Sequence, residues 1–186
     1  MRRTLITVLA LGLMCGTAAA GSINLFGSGW ELTDDDSVAG FGGRLSLGGA
    51  FAFDIAGTWY DSVDLPSFDV PGELTSEIGD LEALPVDIGV SYTFETGIIV
   101  RPFVGGGLSV FFVNAEGAHA DVDPGYFARA GIYLGRDQGI NLVAEVLYRE
   151  ANASIKIRSV DGVEVSTTYP LDLGGFGANI GVALTF

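Results

Sequence analysis

Hydrophobic residues occupy every second position over long stretches of this chain, which is the period of β-strands with two different faces. The pattern is clearest in the last eight residues, where Ile180, Val182, Leu184 and Phe186 alternate with small or polar residues. Eight segments share this period, and we predict strands at 22–32, 37–48, 51–61, 84–94, 98–113, 125–135, 140–156 and 171–186. The pattern therefore predicts an all-β chain.

The links between these strands alternate in length. Residues 49–50, 95–97 and 136–139 form short turns, whereas the links at 62–83, 114–124 and 157–170 are long. An even number of strands, with short links at one end and longer links at the other, is typical of a membrane barrel. We therefore predict an eight-stranded antiparallel up-and-down transmembrane β-barrel.

The lipid-facing positions that we assign on predicted strands two to eight, such as Phe41, Ile88 and Ile180, are all uncharged, which suits contact with lipid. Aromatic residues on this exterior concentrate near the strand ends, as expected where rings lie at both membrane interfaces. We predict interface positions for Trp30, Trp59, Phe112, Tyr126, Tyr148 and Phe176 at the long links, and for Phe51, Phe53, Tyr92, Phe94 and Phe186 at the short links. The alternation alone also allows a β-sandwich core. The first strand is ambiguous, because Phe26 and Trp30 lie on one face and Ile23 and Leu25 on the other.

The N-terminus has the features of a secretory signal peptide. Arg2 and Arg3 precede an apolar segment at 5–15, and small residues end at Ala20. We predict cleavage after Ala20, so that residues 1–20 are the signal and 21–186 form one barrel domain. Cys15 lacks the small preceding residue of a lipid attachment site and leaves with the signal, so we expect no disulfide in the mature chain.

The charge balance is strongly acidic. The whole chain has a formal net charge of −14, and removal of the signal leaves seven basic residues against 23 acidic ones. Nucleic acid is therefore not an expected partner, because phosphate binding needs a positive surface.

Charged residues also occur within the strands, at positions that face away from the predicted lipid side. These inward positions are Arg44, Asp54, Asp87, Arg101, Arg129, Glu145 and Arg149. Buried charges are costly unless they pair, and we predict that Arg44 pairs with Asp54 and Arg129 with Glu145 on neighbouring strands. An eight-stranded barrel has an interior that side chains can fill. We predict a salt-bridged lumen that packs the barrel; a gate or proton path is the alternative role.

Catalytic and metal-binding patterns are weak. His119, the only histidine, lies in a long link without a serine motif around it, and we expect it to be solvated. Acidic residues crowd the links opposite the short turns, at 34–36, in the long second loop between Asp61 and Glu82, and at Asp121 and Asp123, but their spacing does not match a 12-residue calcium loop. We expect a solvated acidic rim, no metal site and no cofactor; cations bridging the rim to lipopolysaccharide phosphates are the alternative.

Together, the signal, the eight alternating strands, the inward charges, the segment 126–131 and the ending 182–186 resemble the OmpA/OmpX-like outer-membrane β-barrel family. The resemblance covers the mature chain and implies a monomer in the Gram-negative outer membrane, in contact with lipid and lipopolysaccharide. It implies that Phe186 is the C-terminal aromatic read by the barrel assembly machinery, and that the role is envelope integrity or adhesion rather than catalysis. The long acidic second loop departs from the family pattern, so no particular binding partner is carried over.

Two other functions remain open. A small porin or OmpW-like conduit would need an apolar lumen or a lateral opening, and the charged inward face argues against it. A lipid-modifying outer-membrane enzyme would need His119 or a loop serine to take part in catalysis.

Overall fold

The computed structural model describes residues 20–32, 37–63, 69–70, 74–75, 81–97, 99–114, 118–157 and 167–186. This part of the chain forms β1 (Gly21–Leu32), β2 (Ser37–Gly48), β3 (Phe51–Val63), β4 (Asp69–Val70), β5 (Leu74–Thr75), β6 (Leu81–Thr93), β7 (Val100–Asn114), β8 (Ala118–Val122), β9 (Gly125–Leu134), β10 (Gly139–Glu150), β11 (Asn152–Ile157), β12 (Thr167–Asp172) and β13 (Gly175–Thr185). None of the described residues belongs to a helix of the length and apolarity needed to cross a membrane.

Eight of these strands close into a barrel in the order β1-β13-β10-β9-β7-β6-β3-β2, and every neighbouring pair is antiparallel. The predicted fold class is confirmed. Strand β13, which contains the most regular alternation in the sequence, closes the barrel against β1, from Ser22 opposite Thr185 to Leu32 opposite Gly175.

The last two predicted strands differ from those observed. The predicted strand 140–156 divides at Ala151 into β10 and β11, and the predicted strand 171–186 covers the end of β12 and all of β13. At these breaks the chain leaves the barrel wall and forms a separate three-stranded sheet in the order β12-β11-β8. The apolar residues change parity here, from even positions up to Tyr148 to odd positions from Ala151 to Ile157, so the sequence pattern does carry a signal of the break that the predicted strand 140–156 overlooks.

The two ends of the barrel differ. One end, the turn end, carries the short links after β2, β6 and β9, and the opposite end, the loop end, carries the long links. Gly97 lies in one of these short links and Gly139 begins β10 after another, with φ of +71° and +98°, a conformation that residues with a side chain rarely adopt. Glycine at these two positions therefore permits the tight turns.

The exterior of the barrel is apolar, whereas its interior combines charged and polar side chains with aromatic and aliphatic ones. Ile140 and Ile180, for example, are each 75% exposed, whereas Asn24, Asn141 and Thr58 are buried. Large contiguous apolar surfaces are rare on soluble monomeric proteins. The distribution of side chains is thus the inverse of that expected for a barrel surrounded by water.

The prediction that Trp30 lies at the membrane interface is wrong. Its side chain points into the lumen and is 1% exposed, with ring centroids 5.2 Å from Tyr60 and 5.7 Å from Phe111. On β1 the outward side is taken instead by residues such as Leu25, which is 68% exposed. A side chain at Gly175 would lie 3.0 Å from the Trp30 indole nitrogen, so this glycine leaves room for the inward ring.

The other aromatic residues predicted at the interface lie on the outer face. Those with largely exposed side chains are Phe51, Phe53, Trp59, Tyr92, Phe94, Phe112, Tyr126 and Phe176, together with Phe186. Tyr148 is half-buried against Phe176, at 5.0 Å between ring centroids. Their contact with a membrane interface remains a prediction.

Glycines on the inner face make room for large neighbours, and this gives a first testable consequence. A methyl group at Gly131 would lie 2.6 Å from the Phe103 ring and 2.7 Å from Glu145 Cβ, whereas one at Gly57 would meet nothing within 4 Å. We expect Gly131→Ala to lower the free energy of unfolding by about 1–3 kcal/mol, the usual cost of overpacking. Gly57→Ala is the control and should leave stability unchanged or slightly raised. Urea titration of the folded protein in lipid vesicles measures both, and equal effects would contradict the packing described here.

Candidate functional site: the charged lumen

The structure places all seven charged residues of the inward face inside the barrel. Six of them are buried, namely Arg44, Asp54, Asp87, Arg129, Glu145 and Arg149. The seventh, Arg101, lies near the turn end with its side chain 11% exposed. These residues come from six different strands, because alternate positions of each strand point inward.

The first ion pair joins Arg44 on β2 to Glu145 on β10. Arg44 donates from Nη1 to Glu145 Oε2 at 2.8 Å and from Nη2 to Oε1 at 2.5 Å. Asn179 Nδ2 donates to the same Oε1 at 2.6 Å, and the Arg44 guanidinium lies 5.5 Å from the Phe26 ring centroid. A bidentate guanidinium–carboxylate pair of this kind is both strong and directionally specific.

The second ion pair joins Arg129 on β9 to Asp54 on β3, with Arg129 Nη2 donating to Asp54 Oδ2 at 2.6 Å. The guanidinium also lies 5.8 Å from the ring centroids of both Phe103 and Phe127. Aromatic faces attract a cation within about 6 Å, so these two rings help to hold Arg129 in place.

The predicted partners of these residues are wrong. The sequence pattern predicts Arg44 with Asp54 and Arg129 with Glu145, on adjacent strands, whereas the observed partners are exchanged. Each observed pair joins strands three places apart in the ring of eight. In so narrow a barrel the long guanidinium side chains reach across the lumen, and reasoning from hairpin neighbours misses this.

A third ion pair lies closer to the loop end. Arg149 on β10 donates from Nη2 to Asp87 Oδ2 on β6 at 2.7 Å, and Ser109 Oγ donates to Asp87 Oδ1 at 2.6 Å. These strands are also three places apart. Beyond this pair, the rings of Trp30 and Tyr60 fill the loop end of the lumen.

Arg101 differs from the other inward arginines. Its Nη1 lies 3.3 Å from a carboxylate oxygen of Asp137, whose side chain is 89% exposed on a short turn. Its Nη2 donates to the Arg136 carbonyl oxygen at 2.9 Å and to Asn141 Oδ1 at 3.1 Å. Arg101 therefore lies at the turn end, outside the group of three buried ion pairs.

Sequence reasoning missed the uncharged members of this network. Asn179 and Ser109 each bond to a buried carboxylate, and the Ser28 and Tyr60 hydroxyls lie 2.7 Å apart. The alternation of the strands is enough to show that these residues point inward. Which carboxylate each one meets depends on the folded barrel and has no signal in the sequence.

Among the described residues, no group of three or more His, Cys, Asp or Glu side chains could hold a metal ion. His119 lies on β8 with its backbone opposite Lys156, and its side chain is outside the described set. The predicted signal peptide up to residue 19, the acidic cluster 34–36 and most of the acidic second loop also lie outside the described residues. In the described part of the chain, the lumen is a packing network built around three buried ion pairs.

Comparison with known proteins shows the fold. No protein-family model and no curated protein matches this chain. Among solved structures, the outer membrane protein OprG from Pseudomonas aeruginosa is 16% identical, with 91% of this chain and 96% of that chain covered and a TM-score of 0.61. Neisserial surface protein A is 17% identical, with 91% and 98% covered and a TM-score of 0.54.

A third solved structure, the outer membrane protein AlkL in DMPC lipid bilayers, is 14% identical, with 92% of each chain covered and a TM-score of 0.53. Identities this low carry no information on a shared role. The structural alignments nevertheless cover nearly the whole of each chain, and this protein has the closed β-barrel fold of these small outer-membrane proteins.

Proposed function

We propose that this protein is an integral β-barrel of the bacterial outer membrane, with a role in envelope integrity or surface contact and a lumen that does not conduct. The observation that carries the proposal is the inversion of the barrel, with an apolar exterior around an ion-paired interior. The fold of the solved outer-membrane barrels supports the location.

The distribution of charged residues on the exterior supports membrane insertion. In the described barrel strands, outward-facing charged residues occur only at the loop end, and all of them are acidic: Glu31, Asp61, Glu82 and Glu150. Below them the outer face is uncharged down to the turn end. An uncharged band bordered by aromatic residues is the exterior expected for a barrel in lipid.

The interior supports a non-conducting lumen. Three buried ion pairs cross it, and the aromatic side chains of Trp30, Tyr60 and Phe111 fill it toward the loop end. A water-filled pore generally needs more than eight strands. The proposal therefore favours a structural or surface role over transport, and it includes no catalytic step.

The finer features of the proposal follow from the sequence resemblance. We place the chain with the OmpA/OmpX-like barrels, as a monomer in contact with lipid and lipopolysaccharide. We propose that the assembly machinery binds the strand that ends in Phe186, which is exposed beside the β1–β13 closure.

Conductance in planar bilayers tests the closed lumen. We expect the folded protein to insert without producing discrete current steps, because the ion pairs occupy the cross-section. The double variant Arg44→Ala and Glu145→Ala removes one ion pair from the lumen. It is the positive control, and we expect it to produce brief openings. Steady steps from the unmodified protein would contradict the proposal and favour the small conduit.

The cellular role is tested by deletion and complementation. A deletion strain should become more sensitive to detergent, and expression of the full chain should restore its resistance. The lipid A mass spectrum of the deletion strain should stay unchanged. A variant with shortened links at the loop end tests whether the cellular role depends on these links or on the barrel itself. A changed lipid A spectrum would contradict the proposal and favour a lipid-modifying enzyme.

A further inference from the structure

A cavity of about 270 Å³ lies at the turn end of the barrel, separate from the three buried ion pairs. It is bounded by β1, β2, β3, β6, β7, β9 and β13 and by the short turns, and its polar lining includes Ser22, Ser46, Ser91, Arg101 and Tyr133. Its volume is just below the roughly 300–1,000 Å³ of sites for drug-sized ligands. The size suits a molecule no larger than a monosaccharide.

Three serine hydroxyls face this cavity from different strands. Ser22 and Ser46 lie directly opposite each other on β1 and β2, and Ser91 lies on β6. All three residues are more than nine-tenths buried, and within the described chain their side chains make no hydrogen bond to another residue. Each hydroxyl can both donate and accept, which matches the hydroxyl groups of a sugar-like molecule.

Arg101 supplies one positive charge to the cavity wall. The other three inward arginines are neutralised by buried carboxylates. Among the described residues, the carboxylate paired with Arg101 is that of Asp137, at 3.3 Å on the exposed turn, and the other hydrogen-bond acceptors of Arg101, the Arg136 carbonyl and Asn141 Oδ1, are uncharged. Exposed ion pairs contribute only about 0–1 kcal/mol. The carboxylate of a ligand can therefore replace Asp137 on the Arg101 guanidinium, which suits planar oxyanions.

The remaining charges of the cavity wall limit the ligand to at most one negative charge. Glu95 and Asp137 are exposed acids that also line the cavity, and the chain as a whole is strongly acidic. One arginine among these acids suits a monoanion and disfavours a phosphate monoester, which carries about −1.5 to −2 charges.

We propose that this turn-end cavity binds a small hydroxylated carboxylate, of the size of a sugar acid, with Arg101 as the carboxylate-binding residue and the serines as hydroxyl partners. The site needs the folded barrel but does not depend on what the loop end contacts. The short turns of outer-membrane barrels face the periplasm, so under the proposed function the ligand comes from that side.

The test uses amide NMR shifts of the protein folded in detergent, with sodium glucuronate as the probe. Glucose and glucose 6-phosphate, at equal ionic strength, are the matched neutral and dianionic probes. We expect saturable shifts at Ser22, Ser46 and Ser91 with glucuronate, and binding at least about tenfold weaker for the other two, the scale of one charge-assisted hydrogen bond. Equal binding of glucose, or tighter binding of the phosphate, would overturn the proposal.

Variants of residues in the cavity wall provide a second test, and the gel shift of the folded form verifies that each variant folds. Arg101→Gln should weaken glucuronate binding at least about tenfold, while Arg136→Gln, on the same turn but outside the cavity lining, should leave it unchanged. Asp137→Asn should strengthen binding, because it removes the competing carboxylate. If Arg101→Gln does not fold, the increase with Asp137→Asn decides alone. Unchanged binding in both cavity variants would overturn the proposal.

Discussion

Glu145→Gln is expected to destabilise the barrel by about 3–5 kcal/mol, the cost of leaving a buried charge without its partner. The substitution keeps the side-chain shape but leaves the Arg44 guanidinium, which is 4% exposed, without its bidentate carboxylate. Asn179 can still donate to the amide oxygen, so the loss comes chiefly from Arg44. Equilibrium urea unfolding in lipid vesicles, followed by the gel shift of the folded form, measures the change.

Two control variants separate the buried pair from general charge effects. Asp137→Asn removes the carboxylate of the exposed pair with Arg101 and should cost no more than about 1 kcal/mol. Arg44→Met combined with Glu145→Leu removes both charges and should recover most of the lost stability, because well-packed apolar residues can replace a buried ion pair. Equal losses for Glu145→Gln and Asp137→Asn would contradict the description of the lumen.

An arginine in the middle of the outer face is expected to cost about 2–4 kcal/mol, and an arginine near its edge about 0–1 kcal/mol. Ile180 and Ile140 provide a matched comparison, because both are 75% exposed. Ile180 lies in the middle of β13, whereas Ile140 is the second residue of β10 at the turn end. We expect Ile180→Arg to lower the free energy of unfolding in vesicles far more than Ile140→Arg.

The informative result is the difference in unfolding free energy between the variant in the middle of the outer face and the variant near its edge. For a barrel surrounded by water, both arginines would lie on a solvated surface and neither would cost much. Similar small changes for the two variants would therefore contradict the proposed lipid-facing exterior.

The three zones of the lumen give the barrel a polarity along its axis. Serines and Arg101 line the turn end, ion pairs cross the middle, and Trp30, Tyr60 and Phe111 close the interior toward the loop end. A molecule entering from the turn end thus meets a blind cavity. This arrangement is compatible with binding at the turn end and argues against passage through the barrel.

The fold was largely predictable because a barrel with an apolar exterior repeats one physical rule along every strand. Alternation identified the barrel strands, and the same parity identified which charges point inward. Trp30 was not predictable, because β1 carries large apolar residues on both faces, and only packing against Tyr60 and Phe111 decides between them.

The partners of the inward charges were not predictable for a different reason. Hairpin register relates only adjacent strands, whereas Arg44 and Glu145 meet across the lumen from strands three places apart. The sheet of β8, β11 and β12 is also absent from the prediction, because the change of the apolar residues from even to odd positions at Ala151 marks a break but does not identify the strands that pair beyond it. Both features arise from contacts distant in sequence.

Quenching of the two tryptophans by brominated lipid tests the central claim most directly. The chain contains only Trp30 and Trp59, so Trp30→Phe and Trp59→Phe each leave a single reporter. Trp30 is buried inside the barrel and Trp59 is exposed on its outer face. In vesicles with brominated acyl chains, we expect strong quenching of Trp59 emission and little quenching of Trp30. Weak quenching of both reporters, from a folded protein that stays outside the vesicles, would mean that the apolar exterior does not face lipid.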